Sequence, residues 1–211
     1  MQPAALTALV VIVSLIPGAF QTGTGPDWID AGTKDGIALA FRDDASLPAR
    51  EVRATAELPF PARQVFPVVC DLSAYETIVP GVEEARVLEG APPGEDIYLR
   101  YAPRFLVVAA RDVVVRVRRH SDDSAGVFGC TWAEVEGRMA EREATVRMAM
   151  LRGAWTVEDV DGARARVVYQ FAARPGGRIP DWLVRRGALG ALPEVIGRVR
   201  RCLAKKECPA D

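Results

Sequence analysis

Hydrophobic and polar residues alternate along much of the chain, and this pattern predicts a β-rich fold. The clearest example is Arg111–Arg119, in which Val113, Val115 and Val117 share one face while Asp112, Val114, Arg116 and Arg118 share the other. Turn sequences such as Asp161-Gly162 separate these segments. The short spacing indicates a mostly meandering antiparallel sheet. The predicted strands are Ile37–Phe41, Val52–Leu58, Val82–Glu89, Asp96–Ala102, Arg111–Arg119, Val127–Glu134, Ala144–Val157 and Ala163–Ala172.

Two short helices are predicted between the second and third of these strands. Pro61 is suited to a first helical turn and favours a helix over Ala62–Val69. Asp71 or Ser73 could cap a second helix, around Ala74–Val79, which Pro80-Gly81 would end.

A long helix is predicted at the C-terminus, over Pro180–Leu203. Pro193 should bend it, and Gly187 and Gly190 should weaken it, so it depends on packing against the sheet and could tilt away at modest cost. The predicted fold class is therefore α+β, with a curved antiparallel sheet wrapped around the C-terminal helix and two short helices after the second strand. The apolar stripe of this helix comprises Trp182, Leu189, Leu192, Ile196, Val199 and Leu203.

Composition limits the function classes. The 211 residues include 49% hydrophobic residues and carry a net charge of −1, which is ample for a core and gives no electrostatic reason to expect nucleic-acid binding. Ala4–Ala19 is uncharged and shorter than a bilayer-spanning helix, so residues 1–25 are expected to be an export signal or membrane anchor plus a linker. A single domain over residues 26–204, a tail over 205–211, and a monomer in the periplasm or outside the cell are expected.

The four cysteines are compatible with export. Cys202 and Cys208 flank the end of the last helix and could form a disulfide, whereas Cys70 and Cys130 are expected to be unpaired, buried hydrophobic residues. With one histidine and no Cys-x-x-Cys pair, neither a structural metal nor a cofactor is expected.

Several segments in order resemble a START domain, the lipid-transfer family of the helix-grip superfamily, in its bacterial exported form. The resemblance runs from about Trp28 to Leu203 and implies a sheet that wraps a tunnel, which the C-terminal helix closes over one lipid or sterol-like molecule. Many sterol-binding members have an arginine at the position of Val117, so sterol specificity is not implied and a more apolar tunnel is. The segments that carry the resemblance are Asp35-Gly36-Ile37, Val68–Tyr75, Pro103 with Arg111-Asp112-Val113, Gly153-Ala154-Trp155 and Pro175–Leu183.

Strand alternation and the resemblance together predict which side chains line the tunnel. The same residues could instead pack against one another as an ordinary core, since both arrangements have the same periodicity. Tyr101, Thr131 and Tyr169 are the polar groups that could orient a headgroup. The predicted lining is Leu99, Tyr101, Val113, Val115, Val117, Thr131, Met148, Met150, Val167 and Tyr169 from the sheet, with Leu189, Leu192 and Ile196 from the helix.

Charged residues near this predicted tunnel allow two interpretations. Arg111-Asp112 could bind a ligand head, but adjacent pairs of this kind more often satisfy loop carbonyls and a neighbouring charge. Arg104–Val108 could be an apolar loop that contacts a membrane transiently, or the end of a buried strand.

No local motif indicates catalysis. The Gly-x-Ser-x-Gly elbow and Gly-rich phosphate loops are absent from the sequence, and the lone His120 is expected to be solvated. We therefore expect a non-enzymatic protein that binds and transfers one hydrophobic molecule. A helix-grip cyclase or hydratase that uses one buried Tyr or Asp is the alternative, and an exported interaction module is a third.

Overall fold

The computed structural model describes residues 28–43, 47–89, 94–102, 109–206 and 208. The predicted export or anchor segment, most of the C-terminal tail and the Arg104–Val108 loop lie outside the described residues. Of the helices in the described ranges, none is long and apolar enough to cross a membrane.

Within the described ranges, ten strands form one curved sheet that is antiparallel except for one short pairing. The order across the sheet is β1-β2-β3-β10-β9-β7-β6-β5-β4, and β8 adds a parallel pairing to the start of β6. The strands are β1 Ile29–Lys34, β2 Ile37–Arg42, β3 Glu51–Leu58, β4 Val82–Leu88, β5 Glu95–Tyr101, β6 Ala110–Asp122, β7 Val127–Glu134, β8 Thr145–Arg147, β9 Met150–Asp159 and β10 Ala165–Arg174.

Three α-helices lie on the core face of the sheet, the face that carries Val113, Val115 and Val117. Helix α1 spans Ala62–Cys70, a 3-10 turn covers Leu72–Ala74, α2 spans Tyr75–Ile78 and the long α3 spans Asp181–Lys205. The α+β helix-grip architecture predicted from the sequence is thus confirmed. One detail was wrong: the short helices follow the third strand, because β1 precedes the two strands that were expected.

Local sequence explains where the helices begin and end. The carbonyl oxygen of Pro61 accepts hydrogen bonds from the amides of Gln64 and Val65, so Pro61 is the N-cap of α1. Asp71 accepts from the amide of Ser73 and so begins the 3-10 turn. At the other end of the chain, Lys206 adopts a left-handed backbone with φ 54°, which ends α3.

Two disulfides are formed by cysteines near the C-terminal ends of α1 and α3. Cys70 at the end of α1 is bonded to Cys130 in β7, with Cα atoms 5.7 Å apart. The expectation that these cysteines are unpaired was therefore wrong: α1 crosses β7 at this point and brings together two residues that are 60 positions apart in sequence. Cys202 and Cys208 form the disulfide that was predicted, which ties the chain after α3 back to the helix.

Candidate ligand cavity

A cavity of about 260 Å³ lies between the core face of the sheet and helix α3. Its sheet wall comprises side chains from β5, β6, β9 and β10, and Ala191 and Val195 of α3 cover it. Apolar sites of about 150 Å³ can hold benzene, and small-molecule sites usually begin near 300 Å³. The cavity therefore has room for a single hydrophobic group of modest size.

Alternate side chains of β10 point into this cavity. Tyr169, Phe171 and Ala173 fall on the core face at every second position and all line the hollow. Leu151 pairs with Ala173 across β9 and β10 and joins the same wall. The wall is thus built from consecutive inward positions of the strands near one end of the sheet.

Aromatic side chains fill the space deeper in the fold. The ring of Tyr169 stacks on Trp155 with centroids 4.3 Å apart, and Trp155 Nε1 donates a hydrogen bond of 3.1 Å to the Tyr75 hydroxyl. Trp132 lies edge-on to Tyr75 at 6.2 Å. These rings form a floor, so the hollow lies at one end of the sheet and does not run along its whole length.

Helix α3 is held unevenly over the cavity. In its C-terminal half Leu192, Ile196 and Val199 are fully buried, and Arg200 donates a hydrogen bond to the carbonyl oxygen of Asp35. In the part before Leu192, no described side chain is fully buried, and Trp182 is 65% exposed. The prediction that Trp182 belongs to the buried stripe was wrong, because its side chain faces solvent while Val184 and Ala188 line a hollow with Val52 of β3.

A second hollow of about 190 Å³ lies on the other side of the segment that leads into α3. Ala173, Pro175 and Ile179 line both hollows. Gly176 and Gly177 in this segment have φ values of 70° and 67°, a left-handed conformation that glycine adopts without strain. This segment therefore separates the two hollows.

The structure brings some of the predicted lining residues into the cavity wall and leaves others outside it. Tyr101, Met148 and Tyr169 line the cavity, and their contact with a ligand stays a prediction. Leu189 is half-buried against the core. The rest of the core-face set is packed in the hydrophobic core, as the alternative interpretation allowed: Leu99, Val113, Val115, Val117, Val167, Leu192 and Ile196.

Two predicted lining residues lie on the opposite face of the sheet. Thr131 lies between core residues Cys130 and Trp132, so its side chain points away from the helices. Met150 pairs with the exposed Arg174 and precedes the inward-facing Leu151. Thr131 was assigned to the wrong face of β7. Met150 was placed wrongly because the alternation is interrupted between β8 and β9, so that Met148 and Leu151, three residues apart, both line the cavity.

Sequence reasoning did not assign Leu151, Phe171, Ala173, Ala191 or Val195 to the cavity wall. For Phe171 and Ala173 the signal was present, since they continue the alternation that places Tyr169 inward. The predicted strand ended at Ala172, whereas β10 continues to Arg174.

The Arg111-Asp112 pair is divided between the two faces of the sheet. The Asp112 carboxylate, on the outer face, lies 2.8 Å from Arg147 Nε and accepts a hydrogen bond of 3.3 Å from the Tyr98 hydroxyl. Arg111, on the core face, is nine-tenths buried, lines the cavity and donates through Nη1 to the carbonyl oxygen of Ala109. Asp112 thus has the structural role that was expected of the pair, and burial lowers the pKa of Arg111.

The titratable groups in the cavity wall have shifted pKa values. Burial raises the pKa of Tyr101 and Tyr169 far above the ordinary phenol value, so both hydroxyls stay neutral at physiological pH. Among the described lining residues there is no carboxylate, histidine or thiol. Within the same described ranges, no three His, Cys, Asp or Glu side chains are arranged to hold a metal ion.

Comparison with known proteins places this geometry in a family. A family model described as "Polyketide cyclase / dehydrase and lipid transport" matches residues 58–200. Among curated protein sequences, none is significantly similar to the chain.

Solved structures with the same fold include a STAR-related lipid transfer protein fragment from Xanthomonas axonopodis. It is 26% identical with a TM-score of 0.74, and the match covers 84% of this chain and 99% of that one. Human STARD10 has a TM-score of 0.75 at 14% identity, with 85% and 74% covered. Human StAR-related lipid transfer protein 5 has a TM-score of 0.71 at 13% identity, with 86% and 88% covered. The predicted resemblance to START domains is confirmed, and the chain belongs to the polyketide cyclase / dehydrase and lipid transport family.

Proposed function

We propose that this protein binds one hydrophobic molecule in the cavity under helix α3 and transfers it between membranes. The observation that carries this proposal is the hollow of about 260 Å³, whose wall is almost entirely apolar and whose cover, Ala191 and Val195, lies where the loosely held part of α3 meets its buried part. Burial of apolar ligand surface contributes roughly 25 cal/mol per Å², so a few hundred Å² supply several kcal/mol before ordering costs. The similar protein from Xanthomonas axonopodis is named as a lipid transfer protein, which agrees with this function.

Exchange of the ligand requires an opening, and the N-terminal part of α3 is where we place it. This part contains Gly187 and Gly190, and Pro193 cannot donate a helical hydrogen bond. The remainder of the helix is fixed by its buried residues and by the hydrogen bond from Arg200 to the carbonyl oxygen of Asp35. We call the part of α3 before Leu192 the gate, and we expect the gate to move while the rest of α3 stays in place.

Binding without catalysis is the function we favour over the cyclase or hydratase alternative. A general base has to accept a proton near neutral pH. Of the described residues in the cavity wall, the titratable ones are Tyr101, Tyr169 and Arg111, and the raised pKa of each phenol keeps it protonated at neutral pH, so neither is available as a general base. These groups are better suited to orienting a ligand than to transferring protons.

We further propose that the protein acts as a monomer outside the cytoplasm, with transient membrane contact near Trp182. Two disulfides in the described residues support an oxidising compartment such as the periplasm. Trp182 is exposed three positions after Ile179, which lines the cavity, so an interfacial anchor would lie beside the opening. Fractionation of cells that produce the full chain would test the location: recovery of the protein in the cytosol would contradict it.

A cavity-filling variant tests the proposed function. Ala173→Phe adds a ring where β10 lines the hollow, and Ala163→Phe makes the same change in an exposed turn. Transfer of a fluorescent fatty acid or phospholipid between vesicles should fall at least tenfold in the first variant and stay unchanged in the second. Equal transfer by both variants would contradict the proposal, and conversion of the ligand into a product would favour the enzyme.

A further inference from the structure

Among the described residues of the cavity wall, which are mostly apolar, one side chain is cationic. Arg111 is near the start of β6, on the face that carries Val113 and Val115, and only 9% of its surface is exposed. Its guanidinium lies beside the carbonyl oxygen of Ala109 and the turn before α3 that contains Gly177. Burial of a charge in such surroundings is costly unless the charge is paired.

The hydrogen-bonding capacity of Arg111 is only partly used. Nη1 donates to the carbonyl oxygen of Ala109, while Nε is buried and has no hydrogen-bond partner. Nη2 faces Gly177, where an added Cβ would lie only 3.3 Å away. Asp112 cannot serve as the counter-ion, because it is on the other face of the sheet and is paired with Arg147.

The rest of the described wall supplies no anion. Its polar side chains are the neutral hydroxyls of Tyr101 and Tyr169, which can donate hydrogen bonds as the guanidinium does. The described wall therefore combines a guanidinium that has an unused N–H, the phenol of its cross-strand neighbour Tyr101 and the phenol of Tyr169, with no carboxylate, and so has an excess of donors. An anionic oxygen group satisfies such a site with strong, charge-assisted hydrogen bonds.

We propose that the cavity selects amphiphiles with an anionic head, a carboxylate or a phosphate, which pairs with Arg111 while the hydrocarbon part occupies the apolar wall. This inference rests on the proposed binding function and adds the chemical class of the ligand. It makes Arg111 a specificity-determining residue. The turn containing Gly177 lies against the guanidinium and so would contact the head.

Three probes with the same chain and different heads test the proposal: decanoate, decyl phosphate and 1-decanol. Titration calorimetry should give at least tenfold tighter binding of one or both anions than of the alcohol. In Arg111→Gln, anion affinity should fall about 10- to 100-fold, the usual effect of a lost hydrogen bond to a charged group, while alcohol affinity stays within about threefold. Arg111→Lys keeps the positive charge but not the planar guanidinium, so its affinity for the anions should lie between those of the natural protein and Arg111→Gln.

Arg118→Gln is the matched control, because Arg118 lies in the same strand but is exposed on the opposite face of the sheet. Thermal melting of each variant verifies folding, and the Lys variant carries the test if the Gln variant unfolds. If the alcohol binds as tightly as both anions, or if Arg111→Gln and Arg118→Gln behave alike, the inference is wrong and the proposed function stands. If none of the three probes binds the natural protein, the proposed function fails as well. Preference between decanoate and decyl phosphate identifies which anionic head the site takes.

Discussion

Replacement of Gly190 with alanine should slow ligand exchange about fivefold. Gly190 lies in the loosely held part of α3, and a Cβ added there meets no atom within 4 Å. The substitution therefore leaves the cavity volume unchanged and acts only on the backbone. Alanine favours the helical conformation over glycine by ~1 kcal/mol, which corresponds to about fivefold in an equilibrium or a rate.

Gly197 provides the matched control in the fixed part of the same helix. A Cβ at Gly197 would lie 3.5 Å from Arg201 Nη1, an ordinary contact, so alanine is accommodated there as well. Both variants should unfold at a higher temperature than the natural protein, because both gain helical propensity. Only Gly190→Ala should slow exchange, because only that glycine lies in the proposed gate.

Stopped-flow measurement of fluorescent-lipid release to acceptor vesicles gives the exchange rate directly. A release rate that is the same in Gly190→Ala and the natural protein would refute the gate at this position. Equal slowing by Gly190→Ala and Gly197→Ala would show that the whole helix moves as one body.

Three further predictions concern stability and the membrane. Cys70→Ser opens a loop of 60 residues and should lower the free energy of unfolding by ~4 kcal/mol, whereas Cys202→Ser opens a loop of 6 and should lower it by ~2 kcal/mol. Urea unfolding of the two variants measures both losses, and a larger loss for Cys202→Ser would contradict the loop-entropy argument. The Arg116 guanidinium lowers the pKa of Asp96 in the folded protein, so the ionised carboxylate stabilises the fold above about pH 4, its pKa in the unfolded chain, and this contribution is lost as the pH falls through the lower folded pKa. Asp96→Asn should therefore unfold more easily at pH 7, and its stability should depend less on pH below 4. If the acid unfolding profile of this variant matches that of the natural protein, the ion pair does not contribute as described. Trp182→Ala should weaken binding to vesicles while ligand uptake from detergent stays the same, and unaltered vesicle binding would remove Trp182 as the membrane contact.

The sequence predicted most of the fold because most strands bury one face. Arg111–Arg119 alternates plainly, since Val113, Val115 and Val117 pack in the core. β1 was missed because every residue from Ile29 to Lys34 is exposed, so no burial pattern distinguishes it from a loop. One long predicted strand, Ala144–Val157, is two strands, because β8 leaves the antiparallel order to pair in parallel with β6.

The cavity was harder to predict than the fold. Whether inward-facing side chains leave a hollow depends on how rings from distant segments meet, and Tyr75, Trp132 and Trp155 close the deeper part. The sequence does not show which of these rings come into contact. Arg111 was identified as a candidate together with Asp112, but its role depends on a separation that only the structure reveals: the two side chains lie on opposite faces.

Native mass spectrometry of the purified full chain tests the central claim most directly. We predict that the natural protein retains one hydrophobic molecule per chain, and that Ala173→Phe, whose added ring occupies the cavity, retains none. If the natural protein is always free of ligand and takes up none from vesicles, or if the filled variant carries as much as the natural one, the claim that this cavity is a binding site is contradicted.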